Sequence, residues 1–329
     1  MIMELAREIT AGRRLTSREE CEPLLSAELG ALNEAADYIR REMTGDKVDL
    51  CCIINGRSGR CSEDCKFCAQ ASCNHTGVSE YPFLDTETIL RDCGKYAALG
   101  VDRYSIVTAG RSLSGGDLDH AAEAYRALHE RYPDMKLCGS HGLESDEAFR
   151  RMKEAGVDTV HCNVETSRHY FPQICSTHTY EDKVRSIRRA KAAGLHVCCG
   201  GIIGMGESWA DRIDMALEIA ELDPQSIPLN VLIPIPGTPF EDLEVMKNED
   251  VLRTVSIFRF VNPEKQIRIA AGRFRFEDGG AALFRAGASA TITGDMLTTV
   301  GNNTREDRAM FREMGFRLKP ASGEEFRGM

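Results

Sequence analysis

Three cysteines fall close together in the chain: Cys61, Cys65 and Cys68, in the run Arg60-Cys61-Ser62-Glu63-Asp64-Cys65-Lys66-Phe67-Cys68. A C-x3-C-x2-C triplet can wrap one soft metal centre, because thiolates favour iron-sulfur clusters, zinc or Cu(I) over hard cations. Closed structural zinc sites usually take four protein ligands, commonly from two C-x2-4-C pairs, and no second pair follows nearby. The triplet therefore predicts a cubane iron-sulfur cluster on three protein ligands, with one iron free for a small molecule. Ser62, Glu63, Asp64 and Lys66, between the thiols, are too polar for a buried core segment, which argues against simple packing.

Such a loop needs a scaffold. From Asp49 onward, short β-rich runs alternate with amphipathic stretches, the sequence form of repeated β-α units on a parallel sheet. Strands are expected over 50–55, 104–108, 137–141, 159–164, 196–202, 227–233, 266–271 and 290–293. Helices are expected over 86–98, 118–131, 146–155, 180–193 and 209–222, with Gly100, Gly156 and Gly194 at C-terminal positions. Eight such units predict the α/β class: a (β/α)8 TIM-type barrel over 49–329 with an N-terminal helical extension over 1–48. Residues 18–43 read as one or two helices with Pro23 near a start. An open doubly wound sheet is the alternative, and it lacks a Gly-rich turn after the first strand. In a barrel, catalytic groups gather at the C-terminal ends of the strands, and the cysteine loop begins directly after the first one.

Composition narrows the partners. The 41 basic and 51 acidic residues leave a net charge of -10, which argues against an extended nucleic-acid footprint. The N-terminus lacks a secretory core, and no run approaches the roughly 18 apolar residues of a membrane span, so no membrane partner and a cytoplasmic location are expected. Thirteen cysteines without a secretory address read as metal ligands or small buried residues rather than disulfides.

The triplet is the signature of the radical S-adenosylmethionine enzymes. The stretch NGRSGRCSEDCKFCAQASCNHTGVSEYPFL, 55–84, resembles the cluster loop of the biotin synthase family. HCNVETS at 161–167, VCCGGIIGMGES at 197–208, and PLNVL and RIAAGR around Asn230 and Arg268 resemble the same family in the same order. The resemblance implies that Cys61, Cys65 and Cys68 ligate a 4Fe-4S cluster whose free iron chelates S-adenosylmethionine. It places Phe67 near the adenine. Glu165 takes the acidic position that hydrogen-bonds the ribose hydroxyls, a task suited to a carboxylate because each oxygen can accept from one hydroxyl. Gly200-x-Ile202-x-Gly204-x-x-Glu207 matches the glycine pattern that lets backbone approach the adenosyl group. Asn163 and Asn230 match asparagines near dethiobiotin and the cosubstrate, although either could instead cap a strand end.

The family also carries an auxiliary iron-sulfur cluster whose sulfide is inserted into dethiobiotin. Cys138 and Cys198 match two of its cysteine ligands and Arg268 its arginine, but the remaining cysteine position is Ser105. Strand side chains alternate faces, so only one of Cys51 and Cys52 can point into a barrel. Cys51 shares a face with Ile53 and Asn55 and falls at a family position near the cluster. The same parity separates Cys198 from Cys199 and Cys162 from Asn163. The expected set is Cys51, Cys138 and Cys198, with Arg268 as ligand or nearby cation and Cys199, Cys162 and Cys52 in reserve. The cluster would be 2Fe-2S or a larger variant carrying an extra sulfide. Arg103, on the face of Ser105, adds positive charge, while Cys21, Cys73, Cys93 and Cys175 lie outside the pattern and read as incidental.

By the same resemblance, one deoxyadenosyl radical abstracts hydrogen from a dethiobiotin methyl carbon and cluster sulfide captures the carbon radical. A second round closes the thiophane ring, with each round consuming one S-adenosylmethionine. A flavodoxin- or ferredoxin-like protein would donate the electrons, and the family favours a homodimer. Two other readings compete. A radical enzyme that never inserts sulfur, such as a hydrogenase-maturation or amino-acid mutase relative, is favoured by Ser105. A non-catalytic iron-sulfur or zinc protein would leave the ribose-binding acid unexplained.

Overall fold

The structure, a computed structural model, describes residues 1–113, 115–297 and 301–322. Three helices come first: α1 (Ile2–Thr10), α2 (Arg18–Ser26) and α3 (Leu29–Thr44). The Ser17 side chain accepts the Glu20 N–H and starts α2, while the Glu28 carboxylate accepts from Gly30 and Ala31 at the start of α3. Pro23 therefore sits inside α2 rather than near a start, because the Ser17 cap places the first turn upstream of it.

The alternating part follows as β1 (Asp49–Arg57), α4 (Thr86–Ala98), β2 (Arg103–Thr108), α5 (Gly116–Arg131), β3 (Lys136–Ser140), α6 (Asp146–Glu154), β4 (Thr159–His161) and α7 (Tyr180–Ala192). It continues as β5 (His196–Cys198), β6 (Gly201–Ile203), α8 (Trp209–Leu222), β7 (Ser226–Val231), α9 (Asn248–Val261), β8 (Gln266–Ile269), α10 (Ala281–Arg285), β9 (Ala290–Ile292) and α11 (Thr304–Glu313). The strands are ordered β5-β4-β3-β2-β1-β9-β8-β7-β6, and a further β5–β7 pairing closes the ring. All the pairings are parallel. β5 and β6 are two halves of one barrel strand, so the result is a closed eight-stranded parallel barrel with flanking helices.

The strand expected over 196–202 is thus interrupted at Cys199 and Gly200. Gly200 packs directly on β7 at this break: a Cβ there would come within 1.9 Å of the Pro228 carbonyl oxygen. Helices end as the sequence pattern requires, with Gly100, Gly156 and Gly194 at φ of 67°, 95° and 76°.

The core lies between the outer faces of the strands and the helices. Leu50, Cys52, Tyr104, Ile106, Leu137, Val160, Val197, Cys199, Ile227 and Ile267 pack there against residues such as Ile89, Cys93, Phe149, Ile187 and Phe258. The alternate residues face inward, and many are thiol, hydroxyl or charged rather than the branched apolar groups that normally fill a barrel. Among the described residues, no helix is long and apolar enough to cross a membrane.

Candidate active site: a thiol-lined barrel cavity

The inward faces enclose a cavity of about 510 Å³. Its lining runs from Phe67 and Cys68 on the loop after β1, past Asn163, Glu165, Ile202 and Asn230, to Cys51, Cys138, Cys198 and Arg268.

The loop after β1 is tied by local bonds. Asn74 Nδ2 donates to the carbonyls of Cys65 (3.3 Å) and Cys68 (2.8 Å), and the Cys68 N–H returns to the Cys65 carbonyl at 3.1 Å. Cys61 N donates to the Gln70 carbonyl, and Gln70 Oε1 accepts the Gly59 N–H. The thiols Cys61, Cys65 and Cys68 are each partly exposed on this loop, and of the three Cys68 lines the cavity. Burial pushes the Cys68 thiol up to about 11, against the pull of the Gln70 and Ala71 N–H groups directed at it. Three thiols on one loop, with backbone N–H groups aimed at the Cys68 sulfur, fit an iron-sulfur cluster. Cys65 also meets a thiol from a distant loop: Cys175 Sγ lies 3.9 Å from Cys65 Sγ.

The middle of the cavity belongs to Glu165. Its backbone is held at φ 70°, a region costly for a residue with a Cβ. The Glu165 N–H bonds the Gly200 carbonyl and its own carbonyl accepts from Ile202. Asn163 Nδ2 donates to Glu165 Oε2 at 3.2 Å, and Lys183 Nζ on α7 stands 3.5 Å from Oε1. Burial opposes the Lys183 charge, but Glu165 and the neighbouring thiols outweigh it and hold the ammonium above its ordinary range. Asn163 Oδ1 accepts the Gly200 N–H, while Asn230 donates to the Gly201 carbonyl and accepts from Ala271. Both amides are therefore fixed by backbone bonds while they face the cavity.

Of the glycine pattern, Ile202 lines the cavity and Gly200, Gly204 and Glu207 do not. Gly200 is pressed against β7. The Glu207 carboxylate turns back to accept from the Gly204 and Met205 N–H groups and pairs with Arg212. These residues shape the turn that carries Ile202.

At the deep end the parity expectation is met. Cys51, Cys138 and Cys198 line the cavity, whereas Cys52, Cys162 and Cys199 are packed in the outer core. The reserve thiols thus point away, because each sits one residue out of phase with an inward neighbour. Ser105 lies opposite Cys138 in the β2–β3 register and hydrogen-bonds its sulfur. Burial raises Cys51 to about 11 and also raises Cys138 and Cys198, and Arg268 opposes that rise at Cys51 and Cys198. Arg268 is itself committed: it donates to Ser226 Oγ, the Asp49 and Thr291 carbonyls and the Asp49 carboxylate. Arg103 meets the other side of Asp49 at 3.1 Å. Three converging thiols beside two guanidinium groups fit a buried cluster, with Arg268 better placed as a neighbouring cation than as a ligand.

Sequence reasoning did not single out Lys183 or His178. A lysine in an amphipathic helical stretch carries no signal that separates it from a solvated one, and His178 meets its partners only across the folded chain.

Residues 57–219 match the Radical SAM superfamily, and 228–317 match the Biotin and Thiamin Synthesis associated domain. Biotin synthase of Alkaliphilus metalliredigens is 55% identical, covering 96% of this chain and 99% of that one. Biotin synthase of Clostridium beijerinckii is 54% identical, again covering 96% and 99%. Among solved structures, methylornithine synthase superposes with a TM-score of 0.84 at 20% identity, covering 97% of this chain and 98% of that chain. The FeFe-hydrogenase maturase of Carboxydothermus hydrogenoformans gives 0.81 at 15% identity, covering 98% and 81%. These two share the fold.

Proposed function

The chain belongs to the biotin synthase family, a radical S-adenosylmethionine enzyme that inserts sulfur into dethiobiotin to form biotin, and we propose that the two ends of its cavity divide that work. The single observation that carries this reading is that a loop thiol, Cys68, and three strand thiols, Cys51, Cys138 and Cys198, line the same cavity as Glu165. Cys61, Cys65 and Cys68 would hold a 4Fe-4S cluster, which would supply the electron for cleaving S-adenosylmethionine, and Cys51, Cys138 and Cys198 would hold an auxiliary cluster, which would supply sulfide.

The chain's own groups orient the reactants. The Glu165 carboxylate accepts hydrogen bonds from the ribose hydroxyls, paired with Lys183 and aimed by its positive φ. Phe67 packs on the adenine and Ile202 walls the adenosyl group. Asn163 and Asn230, pre-set by their backbone bonds, hold the ureido group of dethiobiotin with their remaining donor and acceptor capacity. Fixed groups of this kind bring the reacting carbon into position, while the enclosing wall excludes water that would quench a radical. Arg268 and Arg103 favour thiolate over thiol at the deep end.

Ser105 in place of a family cysteine and the commitment of Arg268 to Asp49 support a three-thiolate auxiliary site, of 2Fe-2S or larger type. Helices α1 to α3 act as an extension, 1–48, braced on the barrel through α9. A flavodoxin- or ferredoxin-like donor, a homodimer and a cytoplasmic location complete the reading by family.

The test is an anaerobic assay of cluster-reconstituted protein with dithionite, S-adenosylmethionine and dethiobiotin, read by mass spectrometry. Biotin together with 5'-deoxyadenosine is expected. Deoxyadenosine without biotin, from protein with its second cluster intact, would overturn the assigned sulfur source.

A further inference from the structure

Beside the cysteine loop lies a second arrangement of metal-binding side chains that the proposed chemistry does not use. Cys175 and His178 stand on the segment between β4 and α7, and with Cys65 they bring one ligand atom each to within 4.8 Å of one another. Cys175 and His178 are buried, 4% and 5% exposed.

Two of the three spacings match a single tetrahedral ion, and the third, from Cys65 to the His178 ring, is within 4.8 Å. Tetrahedral zinc with Zn–S of about 2.3 Å and Zn–N of about 2.0–2.1 Å requires sulfur-sulfur edges of about 3.8 Å and sulfur-nitrogen edges of about 3.6 Å. The Cys65–Cys175 edge is 3.9 Å, and His178 Nε2 lies 3.8 Å from Cys175 Sγ. The other ring nitrogen, Nδ1, is 3.3 Å from that sulfur and 2.6 Å from Glu63 Oε2, which accepts its hydrogen bond. That carboxylate is in turn held by Arg111 at 3.1 Å and by Thr177 Oγ1 at 2.8 Å. A carboxylate that fixes the Nδ1–H tautomer leaves Nε2 with a free lone pair, the arrangement that orients metal-bound histidines. Asp64 Oδ1, 3.2 Å from Cys175 Sγ, already accepts the Ser176 and Thr177 N–H groups, so a fourth position is left to water.

We propose that the cluster-free chain binds one soft divalent cation, zinc or ferrous iron in class, at Cys65, Cys175 and His178. Because Cys65 is shared, that ion and the 4Fe-4S cluster exclude each other. The exclusion rests on the cluster assignment of Cys65 made above, whereas the ion binding does not.

The test titrates metal-free protein anaerobically with Co2+, in a background with Cys51, Cys138 and Cys198 changed to Ala so that only the other thiols report. Thiolate charge-transfer and tetrahedral d–d bands are followed, and then their loss on addition of Zn2+. One Co2+ per chain is expected. Cys175→Ala and His178→Gln should weaken it by about tenfold or more, and Glu63→Gln by about 10- to 100-fold, the usual cost of losing a partner that orients a ligand. The Cys61→Ala/Cys68→Ala double variant should retain the band. Loss of the band in that double variant, or its persistence in Cys175→Ala, would overturn the site in favour of the triplet. If the background does not fold by circular dichroism, the wild-type chain minus Cys175→Ala difference titration decides the same point. In a second arm, one equivalent of Zn2+ should slow 4Fe-4S reconstitution of the wild-type chain more than that of Cys175→Ala. Equal slowing would overturn the competition and leave the reading as a biotin synthase untouched.

Discussion

Lys183 Nζ lies 3.5 Å from Glu165 Oε1, joining the first turn of α7 to the segment that follows β4. The two side chains are 12% and 14% exposed, so each depends on the other for charge compensation. Removing the lysine takes away the cation that positions the Glu165 carboxylate. We expect Lys183→Met to weaken S-adenosylmethionine binding about tenfold, or about 1.4 kcal/mol, and Glu165→Gln to do at least as much. The double variant should cost less than the sum of the singles, because the groups act as a unit. Equilibrium dialysis of the three proteins checks this, and additive losses would mean that the pair is not coupled in the bound state.

The thiols of β1 offer a test by parity. Cys51 lines the cavity, while the neighbouring Cys52 thiol bonds the Arg103 carbonyl at 3.4 Å and packs outward. Cys51→Ala should therefore lose the auxiliary iron and lower biotin formation about a hundredfold or more, while 5'-deoxyadenosine release continues from the loop cluster. Cys52→Ala should keep both products and cost only a small core cavity, of order 1 kcal/mol. Iron and sulfide analysis of the two proteins is the readout, and equal iron loss in both would remove the distinction.

What the sequence made legible is what local rules govern. The helices expected at 86–98 and 209–222 are α4 and α8 to the residue, because capping by Asp85 and Ser208 and the apolar period coincide there. Alternation along strands separated Cys51 from Cys52 and Cys198 from Cys199. Contacts between distant segments were not legible. At the break between β5 and β6, Gly200 is pressed against the Pro228 carbonyl of another strand. Cys175, read as incidental, lies 110 residues from the cysteine it meets. The Arg268–Asp49–Arg103 chain joins three strands that no spacing rule connects.

His141 sets one pH dependence. Its ring is buried with Thr108 Oγ1 at 2.9 Å and the Tyr125 hydroxyl at 2.7 Å, and burial, assisted by Arg57, pushes its pKa down to about 3. The unfolded chain takes up a proton near pH 6.5 that the folded chain refuses until about pH 3. The unfolded state therefore binds more protons in that window, and stability falls as pH falls through it, by up to about 1.4 kcal/mol per unit. Glu144 has the opposite slope. Burial raises it to about 7, so between its ordinary 4.5 and 7 the folded state keeps a proton that the unfolded state has lost, and stability falls as pH rises. Because the two slopes oppose each other, the difference between variant and wild type isolates the ring: we expect the denaturant midpoint of His141→Gln, relative to that of the wild-type chain, to rise as pH falls from 6.5 to 4. An unchanged pH dependence would mean that the ring is charged in the fold.

Gly200 separates packing from cofactor contact. Its Cβ would strike the Pro228 carbonyl oxygen at 1.9 Å, a backbone atom that cannot move without shifting β7. A Cβ at Gly204 would instead meet the Met246 side chain at 3.3 Å, although at φ 91°. Ile202, between them, is the residue that faces the cavity. Gly200→Ala should therefore prevent β5 and β6 from seating against β7 and give insoluble protein that takes up no cluster. Ile202→Ala should fold, load iron and lose part of its S-adenosylmethionine affinity, about threefold to tenfold for the apolar area removed. Soluble yield, far-ultraviolet circular dichroism and cosubstrate affinity distinguish the two. A folded, cluster-loaded Gly200→Ala protein defective only in S-adenosylmethionine binding would place this glycine's role at the adenosyl group rather than in the barrel wall.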